Sequence, residues 1–241
     1  MVTQSSRVYW VLIMKVDIIS YTRPSEDMFK AGIHEAQDLI AFCARVSNPA
    51  NQYNTETAEK LVMYLIKNKH WSPLEMVNIV LEIETTRDIA HQIVRHRSFS
   101  FQEFSQRYAD PTKELHFVLR EARLQDPNNR QNSVVTTDAN LALNWELQQK
   151  KVIETARAAY DWAISNGIAK EQARAVLPEG NTVTRLYMNG TLRSWVHYID
   201  LRAGNGTQKE HMDVAKACAR VIAEVFPLIN KVVNITEGGK K

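Results

Sequence analysis

Four arginines, two histidines and three serines fall within positions 87–107, which read RDIAHQIVRHRSFSFQEFSQR and contain only two acids. Guanidinium groups bind phosphate through paired, charge-assisted hydrogen bonds, and Ser hydroxyls and Gln amides complete the oxygen shell around it. The stretch is a polyanion site in outline. A solvated basic face would mix Lys with Glu, yet there is no Lys here. On a helix, Gln92 and Arg95 are three apart and share a face.

A different use of the same stretch is an RNA- or DNA-binding module in which Phe99, Phe101, Phe104 and Tyr108 stack on bases. Thirty Lys and Arg against 27 Asp and Glu leave a net charge of +3, and no nucleic-acid-binding motif is visible, so no nucleic-acid partner is expected. The seven histidines show no metal-ligand spacing, and no metal is expected. Ser105 is a nucleophile by type, but no general base stands beside it in sequence. Cys43 and Cys218 lie in Ala-rich helical contexts without an activating neighbour, as buried reduced thiols do. No run approaches the ~18 apolar residues of a membrane span, which predicts a cytoplasmic protein with no membrane partner.

These groups must be positioned by a mostly helical framework. Eight Gly and seven Pro among 241 residues leave few turns and favour long helices. Residues 1–13 read as a possible N-terminal extension, with the ordered fold over 14–241 opening on a strand near Val16. Helical patterns cover 27–47 and 55–69. Val77, Ile79, Leu81 and Ile83 alternate with more polar residues as a one-sided strand, after which Thr86 caps a helix over 87–97. Residues 109–140 form an irregular excursion around one strand at 116–119. Helices follow over 140–166 and 168–176, then a strand over 182–189 and a helix from Thr191 to Arg202. Thr207 and Glu210 form a capping box for a final helix that ends at Pro227. The pattern predicts a single α+β domain, a small, mostly antiparallel sheet flanked by long helices.

Arg95-His96-Arg97 followed after seven residues by Ser105, with Glu103 and Arg107 in place, resembles the signature of the flavin-dependent thymidylate synthases. His70-Trp71-Ser72-Pro73-Leu74-Glu75 resembles the family's upstream element. The run from Glu171 to Pro178, and Leu192-Arg193-Ser194 through Leu201-Arg202, resemble two downstream ones. The blocks extend over 14–226. The resemblance implies reductive methylation of dUMP to dTMP, with 5,10-methylenetetrahydrofolate as carbon donor, FAD as hydride carrier and NADPH as electron source. It implies a homotetramer with active sites at subunit interfaces. It assigns Arg202 to the uracil ring as the catalytic cation. Gln92, Arg95, Glu103, Ser105, Arg107 and Arg174 are assigned to the nucleotide. Ser72, Arg95, His96, Arg97, Glu103, Arg193 and His197 are assigned to the flavin. Met76, Thr191 and His197 depart from the residues most common at their places in the family. On the helix over 191–202, Arg193 and His197 share a face, whereas Arg202 lies about half a turn away from Arg193.

Overall fold

The computed structural model describes residues 10–11, 14–204 and 206–233. Of the expected extension, Trp10–Val11 forms β1, and the remaining positions of 1–13 lie outside the described residues. The chain divides into two compact units. One contains 84–93 and 103–186, the other 15–83, 94–102, 187–204 and 206–233, so the division falls within three strands of the principal sheet.

In the second unit, β2 (Lys15–Tyr21) is followed by α1 (Glu26–Lys30) and α2 (Ala36–Ala44). The single helix expected over 27–47 is thus two. Gly32, with φ of +90°, ends the first: the Ile33 N–H reaches back to the Met28 carbonyl at 3.0 Å. Asp38 then accepts from the Glu35 N–H at 3.1 Å and opens the second. Next, α3 (Ala58–Lys67) ends on Lys69 in the left-handed region at φ 59°, which turns the chain into His70 and the 3-10 turn Ser72–Met76.

The strand expected over 77–84 is β3 (Asn78–Thr86), with Ile79, Leu81 and Ile83 buried on one face. Thr86 proves to be its last residue and not a helix cap: its hydroxyl donates to Asp88 at 2.5 Å. The following helix, α4, spans Arg87–Ile93 only. Beyond Ile93 the three- and four-residue spacing offers His96 and Arg97 in place of apolar side chains, and the chain leaves the helix. β4 (Ser100–Glu103) follows.

The excursion over 109–140 is more ordered than its composition predicts. It contains α5 (Pro111–Glu114), β5 (Val118–Leu119), and a hairpin of β6 (Arg123–Gln125) with β7 (Ser133–Val135). β5 pairs in parallel with β1. Asp126 closes the hairpin by accepting from the Asn128 N–H at 2.8 Å and the Asn132 amide at 2.8 Å. Leu124, Val134 and Val135 are exposed, so no burial alternation marks these strands in sequence.

α6 (Ala139–Ser165) is capped by Asp138, and Gly167 at φ 79° terminates it. Its inner face places Ile153, Tyr160 and Ala163 against Phe117, Ala173 and Leu177, the last two from α7 (Lys170–Ala173) and the turn after it. Arg120 ties this unit together. Its guanidinium donates to Asp88 at 2.7 Å and to the Gly180 carbonyl at 3.0 Å, and Gln149 of α6 bridges its backbone N–H and C=O. Arg120→Ala would strand the part-buried Asp88 carboxylate, and is expected to cost about 2–4 kcal/mol, read as a lower urea midpoint.

β8 (Val183–Thr191) completes a four-stranded sheet in the order β2-β3-β8-β4. The Thr22 N–H meets the Asn78 carbonyl, the Arg87 N–H meets that of Thr182, and the Phe104 N–H meets that of Arg185. Each joins one strand's end to its neighbour's start, so the sheet is antiparallel. α8 (Leu192–Arg202) begins as expected, with the Thr191 hydroxyl accepting from the Ser194 N–H at 3.2 Å. In α9 (Lys209–Ile222) the expected capping box is absent. The N-cap is Gln208, which places Thr207 outside the helix, and the Gln208 amide donates to Glu210 at 3.0 Å. α10 (Ile229–Val232) follows Pro227.

Candidate functional site

Glu103 ends β4 with one carboxylate oxygen accepting from Arg87 Nη1 at 3.1 Å and from the Thr184 hydroxyl at 2.9 Å. Two residues on, the Ser105 carbonyl accepts from the N–H groups of Tyr108 and Ala109, both at 3.1 Å, which curls the chain into a turn. Arg107 on that turn forms an ion pair with Glu171 at 3.4 Å, and Lys170 Nζ donates to the Tyr108 carbonyl at 2.9 Å. Glu171 and Arg174 are three apart where α7 passes into its 3-10 turn. Ser105, Arg107 and Arg174 therefore gather around α7, while Gln92 lies half-buried on α4. The Ser105 hydroxyl has no partner among the described residues, so no base activates it.

In the other unit, residues 94–99 run beside α8. The Ser194 hydroxyl donates to the Ser98 carbonyl at 3.1 Å, and the Phe99 ring packs edge-on against Trp195 with centroids 4.8 Å apart. Trp195 is fully buried and donates its indole N–H to the Ile79 carbonyl at 3.1 Å. Phe99 is thus part of the packing and not a displayed stacking surface. Arg95 and Arg97 are exposed on this loop, and His96 turns inward, where its Nε2 accepts from Arg202 Nε at 3.0 Å.

The face expected for Arg193 and His197 is the one observed. Arg193 pairs with Glu75, and His197 meets Trp71 edge-on at 4.4 Å, so both lie against the segment that carries Ser72. Arg202 faces His96 instead. Burial, and then the Arg193 cation, hold His197 below the usual histidine range, with Asp200 opposing the shift.

Charge pairing sorts the arginines. Arg87, Arg107, Arg120, Arg185 and Arg193 each have a carboxylate partner. Among the described residues, the side chains of Arg95, Arg97 and Arg174 have neither an ion pair nor a hydrogen bond, and that of Arg202 has only the imidazole. Unneutralised guanidinium groups are fitted to anionic ligands that arrive from solution. Exposed Arg95 and Arg97, together with Ser72 and His197, form a donor set that suits the pyrophosphate and ring edge of a flavin dinucleotide. The thiols suit no nucleophilic role: burial raises the pKa of both Cys43 and Cys218.

Six contributors were not assigned a role from sequence. Glu75 neutralises Arg193. Arg87 and Thr184 hold Glu103. Tyr198 and His211 lie buried behind His96, bonded to each other at 3.1 Å. Gly190 admits the Phe99 ring. Glu75, Arg87 and Tyr198 carried a signal, since each lies within or beside a motif.

An antiparallel sheet edged by helices, with uncompensated arginines on the loop after α4, on the turn after α7 and on α8, defines a nucleotide-handling α+β protein without a thiol nucleophile. Residues 30–228 match the family model described as Thymidylate synthase complementing protein. The chain is 46% identical over 223 residues to the probable flavin-dependent thymidylate synthase of Paramecium bursaria Chlorella virus 1, covering 92% of this chain and 99% of that one. It is 47% identical over 216 residues to the flavin-dependent thymidylate synthase of Synechocystis sp., covering 90% and 97%. The chain belongs to the flavin-dependent thymidylate synthase family. Its fold is also that of the UMP/dUMP methylase PolB from Streptomyces cacaoi, with a TM-score of 0.75 at 22% identity over 91% of this chain and 93% of that one.

Proposed function

We propose that the chain performs the reductive methylation of dUMP to dTMP, drawing the carbon from 5,10-methylenetetrahydrofolate and the electrons from NADPH, with FAD as cofactor. When bound, FAD supplies the hydride equivalent, so no thiol need attack the pyrimidine. The protein's task is then positioning and charge.

Nucleotide binding falls to Gln92, Arg95, Glu103, Ser105, Arg107 and Arg174. A phosphate dianion matches a guanidinium that no carboxylate neutralises, as at Arg174. Glu103 is anchored through one carboxylate oxygen, leaving the other to accept from a ligand N–H or O–H. Flavin binding falls to Ser72, Arg95, Arg97, Glu103, Arg193 and His197, and to His96 through the ring nitrogen that Arg202 does not occupy. Arg202 presents a fixed cation to negative charge developing on the uracil ring.

The observation that carries this proposal is that, among the described residues, no carboxylate pairs with Arg95, Arg97, Arg174 or Arg202, all at motif positions, and that Arg202 bonds only to the His96 imidazole. The test is incubation with dUMP, methylenetetrahydrofolate and NADPH. A yellow protein that forms dTMP is expected; a colourless protein that forms none after FAD reconstitution would overturn it.

The proposed assembly is a homotetramer with active sites shared between subunits, and α6 supports it. Leu141, Trp145, Gln148, Val152, Thr155, Ala159 and Trp162 follow one another at alternating steps of four and three, an uncharged seam along a helix about 40 Å long. Leu141, Trp145, Val152 and Trp162 on that seam are exposed. A second copy of the helix, antiparallel, would cover it without opposing like charges. Val152→Glu with Ala159→Glu is expected to reduce the mass in light scattering to that of a smaller assembly while helicity is unchanged; an unaltered mass would exclude this seam. Among the described residues no helix is long and apolar enough to cross a membrane, and we place the reaction in the cytoplasm.

A further inference from the structure

Among the described residues the Arg202 side chain makes one hydrogen bond, from Nε to His96 Nε2. A guanidinium is planar, so a bond at its inner nitrogen fixes the plane and leaves both outer amino groups free for a ligand. Only neutral imidazole can accept this bond, because imidazolium has no lone pair to offer. We infer that His96 is a positioning residue for Arg202, and that Tyr198 and His211 behind it hold the imidazole in the orientation this requires. The inference rests on the proposed function and extends it to two residues with no assigned role, Tyr198 within the last motif and His211 outside every motif.

The packing around His96 is specific. Its ring meets Tyr198 edge-on, with centroids 4.9 Å apart and planes at 86°, and lies 6.3 Å from His211 at 85°. His211 is fully buried, and its Nε2 is 3.1 Å from the hydroxyl of Tyr198, itself 1% exposed. α8 thus brings Tyr198 and Arg202 to one side of His96, and α9 brings His211 to another.

The titratable and charged groups facing the ring are Arg202, Tyr198 and His211. No carboxylate bonds to it among the described residues, so nothing favours imidazolium. Burial, then Arg202, hold His96 below its ordinary pKa. Burial, then Arg202 and His96, push His211 down to about 3. The lowered His96 pKa keeps the acceptor neutral at and above neutral pH. The bond is lost as pH falls through the folded-state pKa of His96, below the ordinary value near 6.5.

The test measures dUMP dissociation from the flavin-loaded enzyme by isothermal titration calorimetry for wild type, His96→Gln and His96→Phe. Gln places a non-titrating acceptor near the Nε2 position, whereas Phe keeps the ring and removes the acceptor. At about pH 8, His96→Gln is expected to bind within about threefold of wild type and His96→Phe about tenfold more weakly. Between about pH 8 and pH 5, wild type should lose affinity more steeply than His96→Gln; the phosphate's own titration near pH 6 is common to both. Equal affinity of His96→Phe and wild type, or a parallel decline of wild type and His96→Gln, would overturn the positioning role. Should His96→Phe fail to fold, the pH comparison with His96→Gln decides. Wild type that binds dUMP in this pattern but forms no dTMP would refute the proposed reaction and leave the positioning role standing.

Discussion

Gly190→Ala is expected to lower stability by about 1–3 kcal/mol and to release the flavin, abolishing turnover. A Cβ at this position would stand 2.4 Å from both Cδ1 and Cε1 of Phe99, well inside any real carbon–carbon contact. The ring has nowhere to retreat, since Trp195 lies 4.8 Å from its centroid and Tyr198 5.9 Å, and both are essentially fully buried. Interiors are packed as densely as organic crystals, so the strain must pass to the backbone of residues 94–99. That backbone carries Arg95, His96 and Arg97. A urea midpoint and the visible absorbance of the purified protein check the two parts of the prediction. Adding Phe99→Leu to Gly190→Ala should restore part of the stability by freeing space. Stability and flavin content equal to wild type in the single variant would refute the argument.

Arg202→Ala is expected to slow dTMP formation in a single turnover by about 10²–10³-fold, the usual cost of removing one preorganised donor from a developing anion. The fold should scarcely notice. Arg202 is half-buried and its one bond among the described residues is to His96, worth about 0.5–1.5 kcal/mol. Loss of rate without loss of melting temperature separates this arginine from Arg120, whose removal is expected to act on stability. Single-turnover rates near wild type in Arg202→Ala would show that charge on the pyrimidine is stabilised from elsewhere.

Elements whose cause is local were legible in the sequence. β3 shows as alternation, because one face is buried and the other is not. α6 shows as a periodic run and α8 as one opened by Thr191, whose hydroxyl accepts the Ser194 N–H; the Asp138 cap of α6 was not read from sequence. Where the sequence misled, a local signal was overridden. The break at Gly32 split one periodic run into two helices. The early end of α4 came from an absence of apolar side chains at the three- and four-residue spacing beyond Ile93. The β6–β7 hairpin has exposed apolar residues on a surface excursion and so lacked the burial pattern that betrays a strand.

What the sequence determined by itself is the inventory and its family: arginines, serines and glutamate at motif spacing, thiols in inert surroundings, and helix faces that separate Arg193 and His197 from Arg202. Spacing along a helix is a property of the chain alone. The tertiary structure alone decided which of those charges are neutralised. Glu75 reaches Arg193 and Glu103 reaches Arg87 across loops of no fixed length, and Arg202 finds His96 from the far end of another helix. The same holds for the buried Tyr198–His211 pair and for the space at Gly190. Each depends on atoms far apart in sequence meeting within a few ångströms, and no pattern along the chain encodes such a distance.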